Sequence, residues 1–341
     1  MKKNILILKN DRAGDLFTSL KLISSLNNKN NKIKLYLSEL NNGFSFLFKN
    51  IEIIKTNYDL NINNRINIFL DILKNRYDEI YILSPKKFYF FLSIIFRKLK
   101  FFAIVYNGKK RNRPNYFIRK FLFSYEVIFR TKRNEESYEE LQIKLLEKNI
   151  KVDSRFSNLN IPSISSELKF LLPKNFLFFQ FRYDFFEDLK WKFDELEKLF
   201  LALLTKYENI LFCSDIENNS KTIEYIDYFK KKYSLIDTNN YKIKLNNSSK
   251  KIFYLENLNA KNLFLIIKES QINLAKHGLV AHLSNFHSAK CHNLFNFKIN
   301  NIENYHHQKF SYSEWYSHMN FKFSFLNNDI NKAIRKILKF I

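Results

Sequence analysis

The sequence predicts an α/β protein made of two doubly wound domains that face each other across a cleft. Three observations lead there. Short apolar runs of strand length alternate with longer segments in which apolar residues recur three and four apart. The alternation lapses once, from Lys151 to Lys174, in a polar stretch that carries Ser154, Ser157, Pro162, Ser163, Ser165 and Pro173. It then resumes as a second βα series from Phe176. With 341 residues, 46% of them apolar and 26% charged, the chain has enough hydrophobic material for two cores.

In the first half the periodicity places strands at Ile5–Leu8, Ile33–Leu37, Ile51–Ile54, Glu79–Leu83 and Phe101–Tyr106. Helices fall at Leu16–Leu26, Ile66–Leu73, Phe88–Leu99 and Tyr138–Glu147. The opening Ile5-Leu6-Ile7-Leu8 is too short for a secretion-signal core and has no small-residue cleavage site, so it reads as a buried strand. In the second half strands are expected at Phe176–Phe181, Ile210–Cys213, Ile252–Leu255, Ile272–Ala275 and Leu294–Ile299. Its helices run from about Phe193 to Lys206, Lys221 to Tyr233, Lys261 to Glu269 and Leu279 to Ser288. The expected domains are 1–160 and 161–325, with a last amphipathic helix in 326–341, at Asn331–Phe340, packing back on the first domain.

Composition removes several classes. Two cysteines, Cys213 and Cys291, make neither a disulfide scaffold nor a four-thiolate zinc site, and a reducing compartment is the natural expectation. The longest apolar run, Phe88 to Phe96, ends at Arg97-Lys98-Leu99-Lys100, far short of the ~20 residues that span a bilayer. All seven histidines lie between His277 and His318, but His277, His282, His287 and His292 are spaced by five. Such a step rotates ~140° on a helix, so no metal cluster follows. The net charge of +24 implies attraction to phosphate or to an anionic membrane. Part of it matches the Lys, Asn, Ile and Phe excess that an AT-rich coding sequence writes.

A chain with only four glycines uses each where the backbone needs freedom or close approach. Gly14, in Asn10-Asp11-Arg12-Ala13-Gly14-Asp15-Leu16-Phe17, follows the first strand and precedes a helix. Asp15 then stands at a helix amino terminus, where the dipole favours its ionised form. On spacing alone it reads as an ordinary capping carboxylate or as a proton acceptor. Neither the three glycines of a dinucleotide fingerprint nor a P-loop ending is present, which leaves an oxidoreductase a poor option.

Gly278, in Ala275-Lys276-His277-Gly278-Leu279-Val280-Ala281-His282, sits likewise between a strand and a helix. Free helix amides, a close-approach glycine and the flanking Lys276 and His277 suit an anion, with a diphosphate the plausible guest. His282, one turn into that helix, either packs structurally or turns to the cleft.

Together these segments resemble the bacterial heptosyltransferase group, glycosyltransferase family 9, over most of the chain. Ile5-Leu6-Ile7-Leu8 and Ala13-Gly14-Asp15-Leu16 are similar to the family's opening strand, Leu-Gly-Asp turn and first helix, and the resemblance implies Asp15 as catalytic base, with Arg12 and Gly14 in the acceptor-side turn. Phe178-Phe179-Gln180-Phe181-Arg182 with Lys190-Trp191 resembles its Arg-containing loop and Lys-x-Trp helix start, although here the lysine directly precedes the tryptophan. Leu211-Phe212-Cys213-Ser214-Asp215-Ile216-Glu217 is similar to the strand and acidic turn for the nucleotide ribose, which implies Glu217 as that acid. Gly278 to His282 resembles its Asp-Ser/Thr-Gly-x-x-His element, without the aspartate and with one extra residue before the histidine.

The resemblance implies a GT-B fold of two Rossmann-like domains and an inverting, metal-independent transfer of a heptose-like sugar. The donor is a nucleotide-diphosphate sugar bound through Arg182, Lys190, Glu217, Lys276, His277, Gly278, Leu279 and His282, with no cofactor. The implied acceptor is lipopolysaccharide or another lipid-linked glycan, at the cytoplasmic face of the inner membrane. A catalytically degenerate nucleotide-sugar-binding protein is the alternative, suggested by the missing aspartate before Gly278.

From Lys86 to Arg133 fourteen Lys and Arg residues stand against the single acid Glu126, interleaved with Phe88-Tyr89-Phe90-Phe91 and Tyr116-Phe117-Ile118-Arg119-Lys120-Phe121-Leu122-Phe123. Cations beside apolar side chains suit an anionic leaflet, and equally a solvated face over a core. Nucleic acid ranks lower, because no recognition helix, zinc finger or RNA-binding signature is present.

Overall fold

The computed structural model describes residues 2–28, 31–107, 114–129, 132–147, 150–214, 220–245, 251–276, 278–296, 315–316, 321–326 and 328–341. The chain divides into two compact units, 1–161 with 299–318 and 162–298 with 319–341. Each is an α/β unit around its own sheet.

The first unit holds β1 (Asn4–Lys9), β2 (Lys32–Ser38), β3 (Ile51–Thr56), β4 (Glu79–Ile82), β5 (Lys100–Asn107) and β6 (Ser124–Phe129). They pair in the order β3-β2-β1-β4-β5-β6, every pair parallel, the doubly wound arrangement. β1 lies at the centre, where both faces are covered, so Ile5 to Leu8 is an unbroken apolar run with each side chain buried. Between the strands run α1 (Ala13–Phe17), α2 (Leu20–Leu26), α3 (Ile62–Lys74), α4 (Lys87–Ile95), α5 (Tyr116–Arg119) and α6 (Tyr138–Ile143). Asn61 caps α3 through the amide of Asn64, and Ser137 with Glu140 closes a capping box on α6. Leu6, Leu8, Ile68, Ile72, Ile80, Tyr89 and Phe101 belong to the core on one side of this sheet.

The single helix expected over Leu16–Leu26 is two, α1 and α2. Thr18 and Ser19 divide them, and the Thr18 hydroxyl donates to the carbonyl of Asp15 at 2.8 Å, a local bond that competes with the helical ladder.

The second unit carries β7 (Phe176–Phe181), β8 (Asn209–Ser214), β9 (Ser234–Asp237), β10 (Lys242–Lys244), β11 (Ile252–Glu256), β12 (Ile272–Lys276), β13 (Cys291–Asn296) and β14 (Phe321–Leu326). The order is β10-β9-β11-β8-β7-β12-β13-β14, parallel except for the β9–β10 pair. The chain leaves β7 toward β8 and later enters on its other side as β12, so the switch in winding direction lies between β7 and β12. Its helices are α7 (Ser166–Leu171), α8 (Tyr183–Asp188), α9 (Phe193–Leu203), α10 (Ser220–Lys232), α11 (Ala260–Glu269), α12 (Leu279–Phe286) and α13 (Ile330–Phe340).

Two assignments of the sequence reading change. Trp315 and Tyr316 group with the first unit rather than the second. The last helix, α13, expected to pack back on the first domain, belongs to the second unit. Its Ile330, Ala333 and Ile337 join the core of Leu196, Leu199, Phe200 and Phe212, and the Trp191 indole donates to the carbonyl of Asn328 at 3.3 Å. The apolar stripe of α13 matches this core because α9 offers a complementary one. Strands β6, β9, β10 and β14 and the short helices α5, α7 and α8 add to the expected set. The strand expected at Leu294–Ile299 begins earlier, at Cys291, because polar His292 and Asn293 are fully buried in it.

Candidate functional site

In the first unit the carboxyl end of β1 leads into α1. Lys9, almost fully buried, pairs with Asp11 at 2.8 Å, and the Asp11 carbonyl accepts hydrogen bonds from the Ser38 hydroxyl at 2.6 Å and the Asn41 amide at 3.0 Å. This polar lacing pins the loop ahead of α1. Arg12 is the exposed residue before the helix, Gly14 its second residue and Asp15 its half-buried third. Asp15 therefore lies in the first turn rather than at the cap, and no side chain caps α1. Behind it the Gln142 amide donates to Thr18 at 3.1 Å, and the Ser19 hydroxyl donates to Gln142. Tyr316 is buried in the same unit; burial first, then the charges of Glu139 and Asp15, push its hydroxyl well above the ordinary range. The sequence reading missed Tyr316, which comes three hundred residues after Asp15 in a segment without periodicity.

In the second unit the paired carboxyl ends of β7 and β12 bring four residues together. Arg182 follows β7 directly and Lys276 ends β12, with Ala275 opposite Gln180 in the register. Gly278 precedes α12 at φ 149°, a left-handed backbone that only glycine adopts without strain, and, as a glycine, it brings no capping side chain of its own to the helix. A Cβ at Gly278 would stand 3.9 Å from Nη1 of Arg182, which sets that guanidinium against the amino end of α12. There the amides of Leu279 and Val280 have no intrahelical acceptor, whereas that of Ala281 bonds the Gly278 carbonyl at 3.1 Å, and the dipole adds about half a positive charge.

Asp184, in the first turn of α8, completes the group. Its Oδ2 accepts from Lys276 Nζ at 2.6 Å, and its Oδ1 lies 3.5 Å from Arg182 Nε. Lys276 also stands 5.8 Å from the centre of the Phe185 ring. Nothing in the sequence pattern marked Asp184, because its partner Lys276 is 92 residues away.

The other expected donor residues divide. His282 is buried on α12, its backbone amide bonded to the Gly278 carbonyl at 3.4 Å. Lys190 is exposed at φ 57°, its amide closing onto Glu187 at 2.9 Å beyond α8; its side chain makes no ion pair or hydrogen bond among the described residues. That position is a left-handed helix stop, which fixes the Lys190 backbone. Glu217 and His277 lie outside the described residues.

The basic stretch splits between core and surface. Tyr89, Phe90, Leu92, Phe101 and Phe102 are buried, whereas Phe91, Ile95, Tyr116, Phe117 and Phe123 are exposed. Cations lie over several of these rings: Lys120 over Tyr116 at 5.1 Å and Lys100 over Phe123 at 4.9 Å. Residues 108–113 and 130–131 of the stretch lie outside the described residues. Among the described residues no helix is long and apolar enough to cross a membrane.

Two parallel-stranded, doubly wound units define the GT-B class of fold. Neither a family model nor a curated protein sequence matches the chain. Solved structures do. A glycosyltransferase family 9 structure from Veillonella parvula aligns with a TM-score of 0.62 at 13% identity, over 99% of this chain and 90% of that one. An E. coli heptosyltransferase solved with ADP-2-deoxy-2-fluoro heptose gives 0.60 at 10% identity, over 98% and 99%. A UDP-GlcNAc 2-epimerase from Methanocaldococcus jannaschii gives 0.59 at 15%, over 99% and 92%. One fold thus serves both transfer and epimerisation, and at these identities the likeness speaks for the fold.

Proposed function

We propose that the protein is a glycosyltransferase that moves a heptose-like sugar from a nucleotide-diphosphate donor to lipopolysaccharide or another lipid-linked glycan. The observation that carries this reading is the convergence of Arg182, Lys276 and the glycine-opened start of α12 at the winding switch of the second sheet. Such a set of donors suits a diphosphate. Likeness of nearly the whole chain to structures that include one solved with a nucleotide sugar supports the same substrate class.

In the reaction Asp15 accepts the proton of an acceptor hydroxyl as that oxygen forms a bond to the anomeric carbon. The bond from that carbon to the diphosphate oxygen breaks on the opposite face, the configuration inverts, and the nucleoside diphosphate leaves with the electron pair. Arg182, Lys276 and the helix amides offset the negative charge that develops on it, so the transfer needs no metal ion. Epimerisation, the activity named for one structural neighbour, is less favoured because the family-9 turn with its aspartate, Ala13-Gly14-Asp15-Leu16, is present here.

The acceptor reaches the protein at an anionic membrane, the inner face of the cytoplasmic membrane. The exposed rings of Phe91, Tyr116, Phe117 and Phe123 among Lys98, Lys100, Arg119 and Lys120 support that placement. The decisive experiment compares wild type with Asp15→Asn, using a panel of nucleotide sugars and lipid-linked acceptors. Transfer is abolished in the variant while calorimetric binding of the donor stays within about twofold. Retained transfer would remove Asp15 from the mechanism. Donor binding by wild type without transfer or hydrolysis across the panel would favour the second reading, a binding protein without turnover, to which the missing aspartate before Gly278 points.

A further inference from the structure

We infer that Asp184 is a resident anion that holds the cations of the diphosphate seat and is displaced when the donor binds. The inference rests on the reading of the Arg182–Lys276 cluster as that seat and adds a competing group to it.

Three features of the second unit carry it. Asp184 meets both cations of this cluster: Lys276 lies 2.6 Å from one carboxylate oxygen, and Arg182 Nε lies 3.5 Å from the other. Both cations lie close to the beginning of α12, Lys276 as the last residue of β12, two positions before Gly278, and Arg182 through Nη1 beside Gly278. The contact to Arg182 is long, and Oδ1 of Asp184 accepts no hydrogen bond among the described residues although the atom itself is shielded from solvent. A carboxylate holding one cation tightly and the other loosely is a poor permanent partner and a good placeholder.

Its exposure completes the case. The Asp184 side chain is 45% exposed against 28% for Arg182 and 23% for Lys276, so the anion is the member free to swing into water while the cations stay in place. A diphosphate offers more charge and more acceptor oxygens than one carboxylate and replaces both contacts at once.

Displacement has a signature that simple repulsion lacks. If the cations are free of Asp184 only a fraction of the time, every ligand that uses the seat is weakened by the same fraction, whatever its own charge. An ion pair of this exposure is worth at most about 1 kcal/mol, so that factor is about two- to fivefold.

The test is calorimetric titration of wild type, Asp184→Asn and Asp184→Ala with inorganic pyrophosphate, ADP and UDP, with thermal unfolding of each variant as a check on folding. The expected result is tighter binding in both variants, by one common factor of about two- to fivefold for every ligand the wild type binds. Unchanged or weaker binding overturns the inference and makes Asp184 a strut that holds Lys276. A gain that grows with ligand charge overturns it too, since it describes a stationary repelling carboxylate. If no protein, wild type or variant, binds any of the three, the diphosphate reading of the site falls with it. Binding by wild type without a gain in the variants sinks only the placeholder.

Discussion

Replacing Gly278 by Ala tests the backbone on which the donor site depends. The residue sits at φ 149° and ψ −143°, a region reserved for glycine, while the added Cβ would meet its nearest neighbour, Arg182 Nη1, at an ordinary 3.9 Å. The cost is therefore backbone strain with no clash added, about 1–3 kcal/mol. With a urea slope of about 2 kcal/mol/M, the midpoint of the second unit falls by about 0.5–1.5 M. Trp191, buried in that unit's core, supplies the fluorescence. Gly14→Ala is the control: Gly14 lies within α1 and does not share the positive φ, so Ala there costs nothing through strain. If Gly278→Ala leaves the midpoint where it was, the left-handed entry to α12 is wrong, and with it the approach of Arg182 to the helix start.

Ile337→Ala opens a cavity between α13 and the second core and costs about 2–5 kcal/mol by urea unfolding; a loss below about 1 kcal/mol would contradict the packing of α13 on this unit. His292 is fully buried, and burial first, then the charge of Lys322, lowers its pKa to about 4. The unfolded chain takes up that proton at its ordinary value near 6.5, so stability from this residue is whole above pH 6.5 and is lost as pH falls to about 4. His292→Asn should flatten this part of the pH–stability curve, and an unchanged slope would count against it. Vesicles rich in anionic lipid should retain the protein at low salt and release it as salt rises; Phe117→Ser with Phe123→Ser weakens retention, and equal retention on neutral vesicles would speak against the basic aromatic surface.

Much of the framework was legible along the chain because central parallel strands, covered on both faces, must be apolar at every position. Ile5 to Leu8 is such a run, Phe176 to Phe181 and Ile272 to Ala275 depart from it only at Gln180 and Asn273, and the three became β1, β7 and β12. Gly278 was legible for a related reason, since a rare glycine between a strand and an amphipathic helix marks a strained entry. Elements whose burial depends on neighbours were not. Strand β13 begins with Cys291, His292 and Asn293, polar enough to hide it, and their side chains are buried only because β12 and β14 flank them. The basic stretch from Lys86 to Arg133 reads as one surface, yet alternate aromatic residues in it are core and solvent-facing.

Periodicity reports which face of an element is apolar and leaves open what meets that face. The stripe of α13 was plain in the sequence, while the unit that receives it followed from the matching stripe of α9. Lys190, matched by resemblance to a phosphate ligand, is a left-handed helix stop, and Asp184, unmarked by any motif, is the carboxylate that Lys276 meets. Pairing in a parallel sheet joins residues through long crossovers, so β7 and β12 decide that Arg182, Asp184, Lys276 and Gly278 share one place. The sequence by itself determined the residue types and the strand-to-helix turns that carry them; the register of two strands far apart in the chain decided which of those residues act together.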